Sequence, residues 1–286
     1  MNRQFPIKGR YIVAVWFLPF LYLPGVDAIY NALFEEYVWN WYALLYMIYA
    51  QLLLGITLSG LILYHKLDWQ LMLAKADRSE YPPAIQLTAF IFLFSIAAAY
   101  ALFYPLSFVI PDFVQYWYID IPEIVYLSEG SFHITENILS LLSLVILAPV
   151  FEEIAFRGIL LHSWSEKWGI NRAILISSLL FGVAHPDPIG ATAFGVAMSV
   201  LYLRTQTLIV PMVCHALNNL VVWLYEAGYT IALGPDYEYT LEEFQSSWPI
   251  GVACAILALA WAYLYITGDK HYRTWSLPRI HQADQE

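Results

Sequence analysis

The stretch APVFEEIAFRGILL, residues 148–161, places three ionisable side chains inside an apolar run: Glu152, Glu153 and Arg157. A long apolar run is typical of a membrane-spanning helix, and a charged side chain at membrane depth costs roughly 2.5–3.5 kcal/mol on insertion scales. A sequence that keeps several such side chains needs partners for them. The stretch therefore predicts a helix inside the membrane that carries a paired or functional polar cluster.

The composition of the whole chain indicates a membrane protein. Of its 286 residues, 60% are hydrophobic and 13% are charged, whereas a soluble protein carries roughly 25% charged residues. The apolar residues come in long blocks, and no Gly/Ser-rich or Pro-rich linker divides them. We therefore predict an all-α polytopic membrane protein in which residues 1–286 form a single integral membrane domain.

Eight apolar segments have about the length that a membrane-spanning helix needs, roughly 20 residues. They lie near residues 11–31, 40–64, 85–109, 137–161, 172–186, 189–206, 208–228 and 249–268. The fifth and sixth are short and meet at the sequence HPDPIGA, which predicts a tight turn. The expected fold is a bundle of about eight transmembrane helices.

The charges of the connecting segments predict the orientation of this bundle. Segments that contain Lys or Arg alternate with segments that lack them: residues 65–83 contain three, whereas residues 110–136 and 229–248 contain acidic side chains and none. Basic loops remain on the cytoplasmic side of a membrane. We therefore expect both termini in the cytoplasm.

Two further polar pairs occur at helical spacing on neighbouring apolar segments. Phe181 and His185 in FGVAH are four residues apart, as are His215 and Asn219 in HALNN, so each pair shares one helix face. Taken alone, each pair is typical of a structural contact. A histidine before a proline lies where backbone carbonyls are free, and a His/Asn pair can form hydrogen bonds between helices.

The first cluster divides its two glutamates between different roles. Glu153 and Arg157 are four residues apart and can form an ion pair, whereas Glu152 is turned about 100° away around the helix. The carboxylate of Glu152 is then free to act as a base. With two imidazoles and an amide on neighbouring segments, this set provides a general base and donors for a developing negative oxygen, as hydrolysis of an amide by an activated water requires.

The three motifs resemble those of the CAAX protease and bacteriocin-processing (CPBP or Abi) family of intramembrane glutamic proteases, which is related to type II CAAX prenyl endopeptidases. The family signature is EExxxR, FxxxH and HxxxN on successive helices, and residues 152–157, 181–185 and 215–219 match it without substitution. The resemblance covers residues 137–228, which would hold the catalytic helices. The family's eight-helix fold agrees with the predicted number of spans.

The resemblance implies two kinds of role for these residues. Glu152 and His185 would activate the attacking water, and His215 and Asn219 would form the oxyanion hole. The supporting residues would be Glu153, Arg157 and Phe181. The expected activity is hydrolysis of a peptide bond near the C-terminus, or in the membrane-proximal part, of a protein or peptide substrate, with no metal or cofactor.

The resemblance and the composition also suggest partners and a location. The expected substrate is a peptide or a membrane-anchored protein, with or without a lipid group, which enters a cavity open to the cytoplasm, and membrane lipids surround the helices. No basic stretch indicates nucleic-acid binding. The short loops and the family together favour the inner membrane of a prokaryotic cell.

Three other interpretations stay open at this point. Glu152, His185 and His215 could supply a carboxylate and two imidazoles to zinc, although the sequence lacks HExxH and this leaves Asn219 and Arg157 without a clear role. A catalytically inactive scaffold or immunity-type regulator would use the polar residues as structural groups. A transporter would be favoured by inverted repeats, and we find none in the sequence.

Overall fold

A computed structural model of the chain describes residues 5–21, 23–33, 39–128, 131–234, 237–268 and 276–278. Within these ranges the chain is almost entirely helical, as the sequence predicts. The α-helices are α1 (Gly9–Leu21), α2 (Leu23–Leu33), α3 (Trp39–Tyr64), α4 (Trp69–Met72), α5 (Tyr81–Val109), α6 (Pro111–Val114), α7 (Ile134–Leu142), α8 (Ala148–Glu153), α9 (Leu161–Trp168), α10 (Ile170–Gly182), α11 (Pro188–Thr205), α12 (Ile209–Leu233), α13 (Leu241–Ser246) and α14 (Trp248–Gly268).

A short antiparallel hairpin is an exception to the all-α prediction. The two-residue strands β1 (Leu127–Ser128) and β2 (Ser131–Phe132) pair between α6 and α7. The buried side chain of Asn137, in the first turns of α7, accepts a hydrogen bond from the Tyr126 backbone N–H at 2.9 Å and donates to the Tyr126 carbonyl at 2.8 Å. The amide of Asn137 therefore satisfies the backbone just before the hairpin and ties this loop to α7.

The number of transmembrane helices is confirmed in part. Within the described ranges, three helical stretches are long and apolar enough to cross a membrane, namely Trp41–Tyr64, Arg78–Val109 and Ile134–Trp168. Two shorter apolar helices, Ile170–Gly182 and Trp248–Tyr263, correspond to the predicted fifth and eighth spans. At about 1.5 Å per residue, α10 is about 20 Å long, which is less than the hydrocarbon thickness of about 30 Å. The count of eight stays a prediction.

The stretch quoted at the outset lies in a helix with two π-helical segments. α7, α8 and α9 are continuous through Ser143–Leu147 and Ile154–Leu160, both π-helical. Pro149 explains the first segment, because a proline inside a helix has no N–H and its ring displaces the preceding turn. π-Helical segments are frequent at functional sites, and both flank the two glutamates.

The Lys- and Arg-containing loops come together at one end of the bundle, which we call the basic end. The Arg204 guanidinium contacts the Glu80 carboxylate at 3.1 Å, and the Leu208 N–H donates to the Met72 carbonyl at 2.9 Å. Apart from Arg157, the Lys and Arg residues of the described ranges belong to this end: Lys8, Arg10, Lys66, Lys75, Arg78, Lys167, Arg172 and Arg204.

The loops that lack Lys and Arg meet at the opposite end, which we call the acidic end. The Glu226 carboxylate, in the second half of α12, accepts a hydrogen bond from the Ile124 backbone N–H at 2.6 Å. The Trp117 indole N–H donates to the Pro186 carbonyl at 3.2 Å. The alternation of loop charge along the sequence is therefore also a separation in space.

Close helix contacts surround the first motif. The main hydrophobic core joins residues of α1, α3, α5 and α8–α12. Gly55 of α3 lies against Phe151, so that a Cβ at residue 55 would come within 2.5 Å of the Phe151 ring. On the opposite side, Gly195 of α11 lies against Ser178 of α10, where a Cβ would come within 2.9 Å of the Ser178 Cβ. Small residues let these backbones approach closely.

Candidate active site

Glu153 and Arg157 form a buried ion pair at the centre of the site. Arg157 Nη1 donates to Glu153 Oε1 at 2.9 Å, and Arg157 Nη2 donates to the Gly195 carbonyl of α11 at 3.0 Å. Glu153 is 0% exposed and Arg157 is 1% exposed. The four-residue spacing predicts this pair, and the contact with Gly195 adds a link from the first-motif helix to α11.

Phe181 packs on the cation of this pair. The Arg157 guanidinium carbon lies 5.1 Å from the centre of the Phe181 ring, within the range of a cation–π contact. The same ring stacks on His185, with centroids 4.4 Å apart and an angle of 28° between the planes. Phe181 therefore holds both the Arg157 cation and the His185 imidazole, which accounts physically for its supporting place in the second motif.

His215 is bound to the first motif through Glu153. Its Nδ1 lies 3.0 Å from Glu153 Oε1, the same oxygen that accepts from Arg157. Because the paired carboxylate accepts, Nδ1 carries a proton, and Nε2 is the nitrogen left for another partner. The sequence predicts the Glu153–Arg157 pair but not this contact, which joins α12 to α8.

The second nitrogen of His215 faces Glu152. His215 Nε2 lies 3.9 Å from Glu152 Oε2, which is too long for a direct hydrogen bond and compatible with a bridging water. Glu152 Oε2 is a buried atom, and it has no hydrogen-bond partner in the structure. A buried carboxylate oxygen without a partner is costly and calls for an explanation, such as a bound water or a catalytic role.

His185 lies on the other side of the Phe181 ring. Its Nδ1 bonds the Phe181 carbonyl at 2.7 Å, which leaves Nε2 as the nitrogen that can meet a ligand. The resemblance pairs His185 with Glu152 for activating water, whereas the structure places His215 within 4 Å of Glu152. The division of roles between the two histidines stays a prediction.

Asn219 is held by a backbone carbonyl that the π-helical segment leaves free. Asn219 Nδ2 donates to the Leu144 carbonyl at 2.8 Å. The N–H of Ala148 donates to the Ser143 carbonyl, and the next residue, Pro149, has no N–H to offer to Leu144. The Asn219 amide therefore takes the place of a missing helix hydrogen bond, and its second N–H remains for a ligand.

A cavity of about 380 Å³ joins the second and third motifs. Its lining includes the Phe181, His185, His215 and Asn219 side chains, together with residues of α5, α11 and the loop after α6. Glu152 lies behind His215 and does not line this cavity. The four side chains of the second and third motifs therefore line the same cavity. Glu152, the predicted base, is separated from that cavity by His215.

Two carboxylates that the motifs do not include also line the cavity, Asp187 and Glu226. Burial raises the pKa of the Asp187 carboxyl, and hydrogen bonds from the Ser95 hydroxyl and the Gly190 N–H oppose that rise. The position of Glu226 could have been inferred from the sequence, because residues 215, 219, 222 and 226 follow the 4-3-4 spacing of one helix face. Asp187 has no comparable signal beyond its place between two prolines.

The described residues do not gather into a metal site. Within those ranges, no three His, Cys, Asp or Glu side chains lie close enough to one another to hold a metal ion. Glu152, His185 and His215, the ligands of the zinc interpretation, therefore do not form such a group in this structure.

Comparison with known proteins agrees with the motifs. Residues 134–221 match the family described as "Type II CAAX prenyl endopeptidase Rce1-like". The protein named "Putative membrane peptidase YdiL" of Bacillus subtilis (strain 168) is 39% identical over 80 residues, which are 27% of this chain and 33% of YdiL. The "Uncharacterized 24.3 kDa protein" of Escherichia coli is 36% identical over 90 residues, which are 29% of this chain and 42% of that protein.

The extent of these matches is limited. The matched stretches span less than half of either relative's length. No solved structure matches the chain. The recognition drawn from the three motifs is nevertheless confirmed, and the matched segment contains the complete set of motif residues.

Proposed function

We propose that the chain is an intramembrane endopeptidase that uses Glu152 as its base, because residues 134–221 of this integral membrane protein match the Rce1-like family of type II CAAX prenyl endopeptidases. The observation that carries the proposal is the unpartnered, buried Oε2 of Glu152, 3.9 Å from an imidazole nitrogen. A gap of that length suits a water molecule that is bound by both groups.

The first step is the activation of this water. Glu152 takes a proton from the water, and the resulting hydroxide attacks the carbonyl carbon of the scissile peptide bond. Because Glu153 fixes the orientation of the His215 ring, His215 Nε2 is already placed to bind the water. The charge that develops on the carbonyl oxygen needs a hydrogen-bond donor, which the second N–H of Asn219 provides in the proposal.

The second step breaks the carbon–nitrogen bond. The protonated Glu152 gives its proton to the leaving amine, and the products are a carboxylic acid on one fragment and an amine on the other. Glu152 therefore returns to its starting state without a metal or cofactor. The buried environment around Glu152 suits a group that must first accept and then release a proton.

Cleavage by purified protein tests the proposal directly. A peptide library and a membrane fraction would be incubated with the wild type and with Glu152→Gln, each with and without a chelator. We expect cleavage by the wild type in both conditions and none by Glu152→Gln. Loss of cleavage in the chelator, restored by zinc, would instead support the zinc-dependent protease, and the absence of cleavage by both proteins would support the scaffold.

A further inference from the structure

A second cavity, of about 780 Å³, lies at the basic end of the bundle. One wall comes from the residues that lead into α1 and from its first turns, within residues 5–13, and the other comes from α9, within residues 163–168. We call this cavity the basic pocket. It contains no residue of the three motifs, so it is separate from the candidate active site.

Hydrogen bonds and close packing hold the two walls of the basic pocket together. Both oxygens of the Glu166 carboxylate accept from the Phe5 backbone N–H, at 2.6 and 2.7 Å. The Gly9 N–H donates to the Ser163 hydroxyl at 2.7 Å. A Cβ on Gly9 would come within 2.4 Å of the Trp164 indole nitrogen, so the backbone of α1 meets α9 directly. The basic pocket is therefore formed by specific contacts between two segments that lie far apart in the sequence.

The charge of the basic pocket indicates an anionic ligand. Three exposed basic side chains line it, Lys8, Arg10 and Lys167. Among the residues that the structure describes, no carboxylate lies within ion-pair distance of any of the three. The carboxylate that does belong to the lining, Glu166, is engaged by the Phe5 N–H. The lining is net positive, and its charged donors suit the oxygens of a phosphate group.

Two tryptophans in the lining favour an amphipathic ligand over a small soluble anion. The rings of Trp164 and Trp168 are neighbours, with centroids 5.2 Å apart, and Lys167 Nζ lies 4.9 Å from the centre of the Trp168 ring. α1 begins at Gly9 and α9 ends at Trp168, so the basic pocket lies at helix ends. Tryptophan is enriched where helix ends meet the membrane–water interface. A ligand that contacts these rings and the basic side chains together needs an apolar part next to its negative group.

The position of the basic pocket in the membrane agrees with such a ligand. The positive-inside rule places the basic end at the cytoplasmic leaflet. That leaflet carries anionic lipids, and basic pockets between helices on this side bind lipid head groups. A phospholipid supplies both the phosphate and the apolar part in one molecule.

We propose that the basic pocket binds the head group of an anionic phospholipid, with Lys8, Arg10 and Lys167 around the phosphate and the two tryptophans against the adjoining part of the lipid. This binding does not depend on peptidase activity. Because the lipid would contact both walls, it would join α1 to the end of the helix that carries Glu152. A bound lipid should therefore raise the melting temperature of the protein.

Binding of matched lipids to the full chain tests the proposal. The wild type in a neutral detergent is titrated with phosphatidylglycerol and with phosphatidylcholine of the same acyl chains, and native mass spectrometry measures the bound fraction. The pocket variant carries three changes: Lys8→Gln, Arg10→Gln and Lys167→Gln. The control variant removes the same kinds of charge from exposed positions of the basic end outside the pocket: Lys66→Gln, Lys75→Gln and Arg172→Gln.

We expect the wild type and the control variant to bind phosphatidylglycerol about tenfold more tightly than phosphatidylcholine, because the phosphate of the first is not neutralised by a choline. The pocket variant should bind both lipids equally. An equal loss in the control variant would overturn the proposal, since the preference would then belong to the general charge of the basic end. A wild type without any preference would overturn it as well.

A soluble anion is distinguished from a lipid by competition. Inorganic phosphate and glycerol 3-phosphate are added to the complex with phosphatidylglycerol at concentrations equal to that of the lipid. We expect neither to displace the lipid or to raise the melting temperature, and displacement by either would show a site for a soluble phosphate instead. Without lipid, both triple variants should melt like the wild type, because the substituted side chains are exposed. Lys167→Gln and Lys75→Gln as single changes repeat the comparison if a triple variant does not fold.

Discussion

His215 donates through Nδ1 to Oε1 of Glu153 at 3.0 Å, and so connects two residues that are 62 positions apart in the chain. The same oxygen accepts from Arg157 at 2.9 Å. One buried carboxylate thus fixes both a cation and the imidazole of the third motif, in the way that a carboxylate orients histidine in many hydrolytic and metal sites. The two adjacent glutamates of the quoted stretch consequently do different things: Glu153 organises the site, and Glu152 faces the reacting water in the proposed function.

Replacement of Glu152 by Gln should abolish peptide cleavage and leave the fold intact. Gln has the same shape and cannot accept the proton of the attacking water, and positioned bases contribute about 10²–10⁴-fold to rate. The measurement is the cleavage rate and the melting temperature in detergent. Glu242→Gln, on the exposed surface of α13, is the matched control and should match the wild type in both. A Glu152→Gln protein that cleaves at the wild-type rate would exclude Glu152 as the base.

Replacement of Glu153 by Gln should destabilise the protein. It leaves the Arg157 cation buried without its counter-charge, which typically costs about 3–5 kcal/mol in free energy of unfolding. Adding Arg157→Met to Glu153→Gln should recover part of that loss, because the isolated charge is then removed. Activity should stay low in both, since His215 loses the carboxylate that orients it.

The half-exposed pair of Glu80 and Arg204 provides the control for that experiment. Glu80→Gln should change the free energy of unfolding by less than about 1 kcal/mol, because water already screens this pair. Thermal or denaturant unfolding in detergent measures both pairs under the same conditions. If Glu80→Gln and Glu153→Gln lowered the free energy of unfolding equally, the buried ion pair would contribute no more to stability than the half-exposed one, against this prediction.

Replacement of Gly55 by Ala should impair the site from a distance. A Cβ at this position would come within 2.5 Å of the ring of Phe151, the residue before Glu152. We expect a lower melting temperature and a lower cleavage rate, because Phe151 and the helix that carries Glu152 must move. Gly60→Ala in the same helix meets no atom within 4 Å, and it should be neutral or slightly stabilising, by up to about 1 kcal/mol, through its better helix propensity. Equal behaviour of the two variants would mean that the contact with Phe151 is not tight.

Replacement of Asn219 by Ala should have separable effects on stability and activity. The Leu144 carbonyl loses its donor, which costs about 1–3 kcal/mol when the group stays buried. Combining Asn219→Ala with Pro149→Ala supplies a backbone N–H next to that carbonyl, and we expect it to restore part of the melting temperature. Cleavage should not return, because the amide that donates to the oxyanion in the proposed function is still absent. Recovery of cleavage by the double variant would show that Asn219 acts only on the helix.

Much of the site could be predicted from the sequence because its parts are local. The i, i+4 spacing predicts that Glu153 contacts Arg157 and that Phe181 contacts His185. The structure confirms both contacts, with His185 in the turn that follows the end of α10 at Gly182. The apolar blocks likewise determine a helical membrane protein, since a backbone in lipid must satisfy its own hydrogen bonds. The alternation of loops that contain Lys or Arg with loops that lack them can likewise be read directly from the sequence.

Only the tertiary structure decided how the helices face one another. The rotation of α12 about its axis places His215 on Glu153 and Glu152, and no spacing within α12 contains that information. The Leu144 carbonyl becomes free through Pro149, and it is the packing of α12 that brings Asn219 to it. The cavity that Asp187 and Glu226 line likewise forms only where packed helices meet. Packing between helices is a sum of many non-local contacts, whereas the sequence by itself determined only the polar groups and their spacing along each helix.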